Sequence, residues 1–231
     1  PVPDNAPTAK LTAESGYLHG YLRVAGDLVK EWHAASEHSK NRTLLKLHAF
    51  FDNEPERPTY GVVNLISPHG ISVISDIDDT IKKTGILEGV RTVFDNTFFR
   101  KTSDVPGMAD VYNEWYEKGV AFHYVSNGPW QLYPMLDQFF RDHRFPPGAA
   151  HLRMYDGISA VLQDQPGQSK QDRIIDIFND FPHRRFILVG DSGEKDPEVY
   201  AEIARRFPDR VVSIFIHDVT TPMLLEQVKE K

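Results

Sequence analysis

"GISVISDIDDTIKKTG", residues 70–85, is the stretch whose reading decides the fold. Ile71, Val73 and Ile74 suit a buried strand, because β-branched side chains pack well on a pleated surface. The run then meets three aspartates, Asp76, Asp78 and Asp79, within four positions. Crowded carboxylates repel one another and resist ionisation. A strand that ends in this way needs opposite charge close by.

Downstream, the strand-like runs 71–76, 120–127, 149–154, 185–191 and 211–218 alternate with helical candidates at 107–118, 130–143, 169–180, 197–206 and 222–230. In the first of these, Met108, Val111, Tyr112 and Trp115 recur at helical spacing. Pro129, Pro197 and Pro222 each stand where a first helical turn would begin. Such alternation predicts an α/β fold, a doubly wound and mostly parallel sheet with helices on both faces. Ligands of these sheets bind beyond the carboxyl ends of the strands. Three of the five runs end in Asp76, Ser126-Asn127 and Asp191, so their polar residues gather on one edge.

Upstream, "PVPDNAPTAK" (1–10) has a linker composition. Alternating stretches at 16–24, 44–51 and 59–67 predict half-buried antiparallel strands, with 31–42 a loop or short helix between the first two. The expected division is a linker and small antiparallel β region over 1–68, the end of a β-sandwich, and a single core domain over 69–231.

Net charge is −7, which argues against bulk electrostatic binding of nucleic acid. No apolar run approaches the length of a membrane span. With no cysteine, disulfides, thiolate zinc sites and cysteine nucleophiles are excluded, and a cytoplasmic location fits. The chain opens on proline, so a processed or excised piece of a longer protein is expected.

Four segments carry the chemistry. "DIDDT" (76–80) is Asp-x-Asp-x-Thr at a strand end, "VSNG" (125–128) ends the next run, Lys170 opens a helix, and "GDSGEKD" (190–196) ends the fourth run. Each has a plainer reading: an Asx turn, an ordinary N-cap, a solvated lysine and a helix-entry loop. All four fall on the same edge in order, which disfavours the plain readings together. His123, His151 and His217 lie in strands and are expected to be packed and hydrogen-bonded. No His-Glu-x-x-His spacing supports zinc catalysis.

The ordered set resembles the haloacid dehalogenase superfamily of phosphotransferases over residues 71–218. "SVISDIDDTIKKTG", "FHYVSNGPWQL", "FPPG" and "FILVGDSGEKDPEVY" are similar to the catalytic domain of actin-patch-protein-type, magnesium-dependent phosphatidate phosphatases. The resemblance implies a nucleophile at Asp76, which becomes transiently phosphorylated, and an acid–base role for Asp78. It implies Mg²⁺ held by Asp76, the Asp78 carbonyl and Asp191, with Asp196 acting through water. Ser126, the Asn127 backbone and Lys170 would hold phosphoryl oxygens, and Thr80 would complete that set by fixing the loop with hydrogen bonds. Asp79 receives no catalytic role and is assigned to the turn.

Thr80 and Ser126 are 46 positions apart, and Gly128 and Lys170 are 42. Neither gap holds a full cap domain, so a minimal cap and an open site are expected, which suits an anionic phospholipid at a membrane surface. A soluble phosphate ester or a phosphoprotein is the alternative substrate, and a non-catalytic adaptor is disfavoured by the intact motif. "GVRTVFDNTFFRK" (89–101) reads as an amphipathic helix packed on the core; the sharper reading has Phe98, Phe99 and Trp130 touching acyl chains. Lys82, Lys83, Arg100, Lys101 and Arg153 are candidate basic residues around the mouth. Family members are linked to actin patches, which leaves cytoskeletal or adaptor partners as candidates outside this stretch, although no residue here carries that link.

Overall fold

The computed structural model describes residues 24–35, 43–49, 59–85, 87, 102–153 and 167–222. The chain divides into two compact units, Pro1–Leu65 with Asp156–Ala160, and Ile66–Tyr155 with Val161–Lys231.

In the first unit, helix α1 spans Gly26–Ala35, and strands β1 (Thr43–Ala49) and β2 (Thr59–Leu65) pair antiparallel, Thr43 facing Leu65. The helix starts well before the segment read as a loop or short helix, because Leu28, Val29 and Trp32 share a half-buried helical face. The strand expected over 16–24 lies outside the described residues apart from Val24.

The second unit holds β3 (Gly70–Asp76), α2 (Met108–Glu117), β4 (Ala121–Pro129), α3 (Tyr133–Asp142), β5 (Gly148–Arg153), α4 (Gln168–Asp180), β6 (Arg184–Asp191), α5 (Asp196–Arg206) and β7 (Val211–His217). The strands lie in the order β5-β4-β3-β6-β7, and every pairing among them is parallel. The chain therefore winds one way from β3 and the other way from β6. That reversal makes the β3–β6 boundary the topological switch point.

Both faces of the sheet are covered, so its central strands read as nearly unbroken apolar runs. On one face Val73, Phe122, Tyr124 and Val189 pack with Tyr112 of α2 and with Leu136 and Phe139 of α3. On the other, Ile74, Val125, Phe186 and Leu188 pack with Ile174, Ile177 and Phe178 of α4 and with Val199, Tyr200 and Ile203 of α5. Adjacent strand residues such as Val73 and Ile74 serve opposite layers, as the two-residue period of a strand requires.

Two details depart from the sequence reading. The expected 130–143 helix is split into a 3-10 turn, Trp130–Leu132, and α3. Pro134 lies in the first turn of α3, where its missing N–H costs nothing, so the regular helix begins there. Strand β4 runs on to Pro129, and between the pairs Val125–His151 and Pro129–Arg153 three of its residues oppose Leu152 alone. This bulge takes Ser126, Asn127 and Gly128 out of the ladder and re-aims them. The 89–101 segment and nearly all of the 222–230 candidate lie outside the described residues, as does much of both gaps in which a cap was weighed.

Candidate active site

Polar side chains inside the core lead to the site. Tyr112 Oη donates to Ser75 Oγ at 2.8 Å, and Ser75 Oγ donates to the Asp76 carbonyl at 2.6 Å. Both hydroxyls are thereby satisfied in a buried layer, and the carboxyl end of β3 is held from below.

Asp76 is 1% exposed. Strand pairing sets Asp76 beside Val125 and Ser75 beside Val189, so Asp76, Ser126 and Asp191 all lie at the carboxyl ends of adjacent strands. Lys170, in the first turn of α4, reaches across with its ammonium 2.8 Å from Asp76 Oδ1, 2.5 Å from Asp196 Oδ1 and 3.3 Å from Glu194 Oε2. This lysine is buried, not solvated. Burial works against its charge, but the Asp76 carboxylate, with help from Asp196 and Glu194, outweighs that and raises its pKa well above the ordinary value.

Asp78 is held on both oxygens. Thr84 Oγ1 donates to Oδ1 at 2.7 Å and Ser126 Oγ donates to Oδ2 at 2.9 Å. Ser126 also accepts the Gly128 N–H at 2.8 Å, and α3 and the 3-10 turn show no side-chain cap, which replaces the N-cap reading of that segment. Asn127 Nδ2 donates to Glu194 Oε2 at 3.0 Å. Asp79 has the left-handed φ of 55°, and its Oδ1 accepts the amides of Thr84 and Gly85 at 2.7 and 2.8 Å. It is a turn residue, as expected. His217 Nδ1 donates to the Asp79 carbonyl at 2.7 Å. Thr80 differs from its expectation, since its buried hydroxyl has no partner among the described residues and Asp79 and Thr84 tie the loop instead.

Asp191 Oδ1 accepts the amides of Gly193 and Glu194 at 2.6 and 3.2 Å. Burial, with Asp196 and Glu194 nearby, pushes its pKa up to about 6 against those bonds. Burial likewise raises Asp76 well above the carboxylate range; Lys170 opposes this, while Asp196, Asp78 and Glu194 add to it.

Five carboxylates, those of Asp76, Asp78, Asp191, Glu194 and Asp196, thus share the edge with the ammoniums of Lys170 and Lys82. Lys82 was expected at the mouth; it is instead buried, 4.0 Å from Asp78 Oδ1 and 3.2 Å from Thr84 Oγ1. The surplus of negative charge and the donor set suit a hard dication, which takes oxygen ligands. Oδ2 atoms of Asp76, Asp191 and Asp196 are buried with no hydrogen-bond partner among the described residues. Asp76, Glu194 and Asp196 each offer an oxygen within 4.8 Å of the others, and these three could hold a metal ion. Glu194 escaped the sequence reading although it lies in "GDSGEKD", three residues after Asp191. Asp191 stands at the same edge but outside that trio.

His123 and His151 are packed, their rings 6.0 Å apart, but both nitrogens of His123 and Nε2 of His151 lack partners among the described residues. That corrects the expectation of hydrogen bonding for His123.

Residues 71–218 match the family model described as the catalytic domain of phosphatidate phosphatase APP1, and the chain belongs to that family. The Saccharomyces cerevisiae protein named Phosphatidate phosphatase APP1 is 34% identical over 228 residues, 96% of this chain and 38% of its own. An uncharacterized protein of Schizosaccharomyces pombe is 36% identical over 160 residues, 68% of this chain and 26% of its own. The chain thus spans well under half the length of these relatives. Among solved structures, a class C acid phosphatase from Bacillus anthracis aligns with a TM-score of 0.42 at 12% identity, covering 66% of this chain and 70% of that one.

Proposed function

We propose that the chain is a Mg²⁺-dependent phosphatidate phosphatase domain that converts phosphatidate to diacylglycerol through a phosphorylated Asp76. The reading takes 69–231 as the catalytic domain, preceded by the small β region. The observation that carries it is the pairing of a buried Asp76, 2.8 Å from the Lys170 ammonium, with an Asp78 held on both oxygens two residues later. Family membership supports the substrate class.

An Asp76 oxygen attacks phosphorus while the bond to the glycerol oxygen breaks. Asp78, oriented by Ser126 and Thr84, gives its proton to that departing oxygen. Its carboxylate then takes a proton from water, whose oxygen attacks phosphorus and frees Asp76 and inorganic phosphate. Lys170 offsets the charge that builds on the phosphoryl oxygens, and Ser126 with the Asn127 amide and Thr80 lines their seat. A bound Mg²⁺ would be held by Asp76, the Asp78 carbonyl, Asp191, Asp196 and Glu194, and would supply further charge neutralisation there.

No described helix is long and apolar enough to cross a membrane, and the proposal places the domain at a membrane surface on the cytoplasmic side. Phosphate release from dispersed phosphatidate, with and without Mg²⁺, tests it in wild type and Asp76→Asn. Metal-dependent release that the variant loses by about 10³-fold or more is expected. Full turnover by Asp76→Asn removes the nucleophile. Inert phosphatidate beside an active soluble ester or phosphopeptide removes the lipid.

A further inference from the structure

Two cavities flank the bulge in β4, and they differ in how many charged groups line them. On one side of Asn127 lies a cleft of about 210 Å³ that holds the charged groups of Lys170, Glu194, Lys195 and Asp196. On the other side, Asp78, Ser126 and Gly128 open onto a crevice of about 60 Å³. Lys82 and Thr102 also line it, and the rest of its wall is apolar, with Leu132 of the 3-10 turn, Met135 in the first turn of α3, and Leu152 of β5.

The chemistry orients a substrate across this partition. A phosphoryl group belongs beside Lys170 and the acidic cluster, with Asn127 and Ser126 at the boundary between the two cavities. The group that receives the Asp78 proton must lie on the Asp78 side, and there, beyond Lys82 and Thr102, the wall is aliphatic and proline. We propose that this crevice is the leaving-group subsite, taking the glycerol end and the first methylenes of a diacylglycerol, with Leu132 and Met135 as its specificity-determining residues. The assignment rests on the reading of Asp78 as proton donor to a lipid leaving group. The space is too small for whole acyl chains, so it reads the lipid next to the ester oxygen and leaves the tails outside. Apolar burial there favours a diacylglycerol over a bare glycerol by an amount that grows with each methylene covered. Neither residue is fully buried, so each tolerates a polar replacement without opening the core.

The test compares wild type with Leu132→Gln/Met135→Gln on dispersed phosphatidate and on glycerol 3-phosphate, with inhibition by dihexanoylglycerol as a second readout. The ratio of kcat/KM for phosphatidate to that for glycerol 3-phosphate is expected to fall at least tenfold. The inhibition constant of dihexanoylglycerol is expected to rise by a similar factor, with the melting temperature unchanged. A wild type that hydrolyses phosphatidate while the variant keeps both the ratio and the inhibition constant overturns the subsite alone. Equal losses on both substrates overturn it as well. A wild type inert toward phosphatidate but active on a soluble ester overturns the lipid reading together with this assignment.

Discussion

Gly190 and Asp196 are in contact across the turn from β6 into α5: a Cβ at position 190 would stand 2.8 Å from both Cβ and Cγ of Asp196. Only a hydrogen at this point lets the aspartate fold back over the strand end and meet Lys170. Gly190→Ala is therefore expected to displace that carboxylate, lowering phosphatase activity about 100-fold while costing about 1–3 kcal/mol of stability. Phosphate release and a thermal melt on the same sample check this. A fully active variant would show that Asp196 does not need its present position.

Excess carboxylate at the edge makes cation binding a stability question. An ion bound by the folded state alone raises stability with its concentration, by about 2.7 kcal/mol at a hundred times its Kd. The melting temperature is expected to climb with Mg²⁺ and to fall back with EDTA. Glu194→Gln, which keeps a partner for Asn127 and removes one charge, is expected to move the midpoint of that titration to higher Mg²⁺. A melt indifferent to Mg²⁺ would eliminate the cluster as a cation site.

Arg184 fastens the start of β3. Its guanidinium donates to the carbonyls of Ser67 at 2.6 Å and His69 at 2.8 Å, to the Ile71 carbonyl, and to Ser72 Oγ at 2.7 Å. Removing it takes the donor from the buried Ser72 Oγ and from three part-buried carbonyls, so Arg184→Ala is expected to cost about 3 kcal/mol in chemical denaturation. Arg184→Lys should recover less than half, because an ammonium cannot reproduce a planar fork. A loss below about 1 kcal/mol for both variants would contradict this role.

His123 makes folding sensitive to acid. Burial, with His151 and Arg184 nearby, pushes its pKa down to about 3, so the folded protein keeps the ring neutral where the unfolded chain protonates it. Below about pH 6.5 the unfolded state binds more protons, so stability is full above that pH and falls as pH drops toward the folded value. At pH 5 the cost from this residue is about 2 kcal/mol. His151, lowered to about 4, contributes in the same direction. Unfolding midpoints at pH 7.5 and 5.0 should lie closer together in His123→Phe than in wild type. An unchanged gap would mean that His123 is not the group responsible.

Much of the core was legible because its elements bury apolar residues with different periods. A parallel strand covered on both faces reads as a continuous β-branched run, as in 71–75, while α4 and α5 show one apolar stripe each. Asp76, Asp78, Ser126, Lys170, Asp191 and Asp196 were legible too, since the strand ends of such a sheet share one edge. Glu194 and Lys82 were not, because their part in the cluster depends on where a turn aims a side chain, and spacing along the chain does not encode that aim.

The amino-acid order on its own determined the alternation of strands and helices and the presence of a carboxylate-rich edge, because burial on two faces leaves a local signature. Only the folded chain decided which charges meet. Lys170 lies 94 positions from Asp76, and their 2.8 Å contact exists because α4 crosses to the end of β3, a consequence of strand order and helix direction. The separation of the cleft at Lys170 from the crevice at Asp78 has the same origin: a bulge of three residues against one is a property of two paired strands, so neither strand carries it alone.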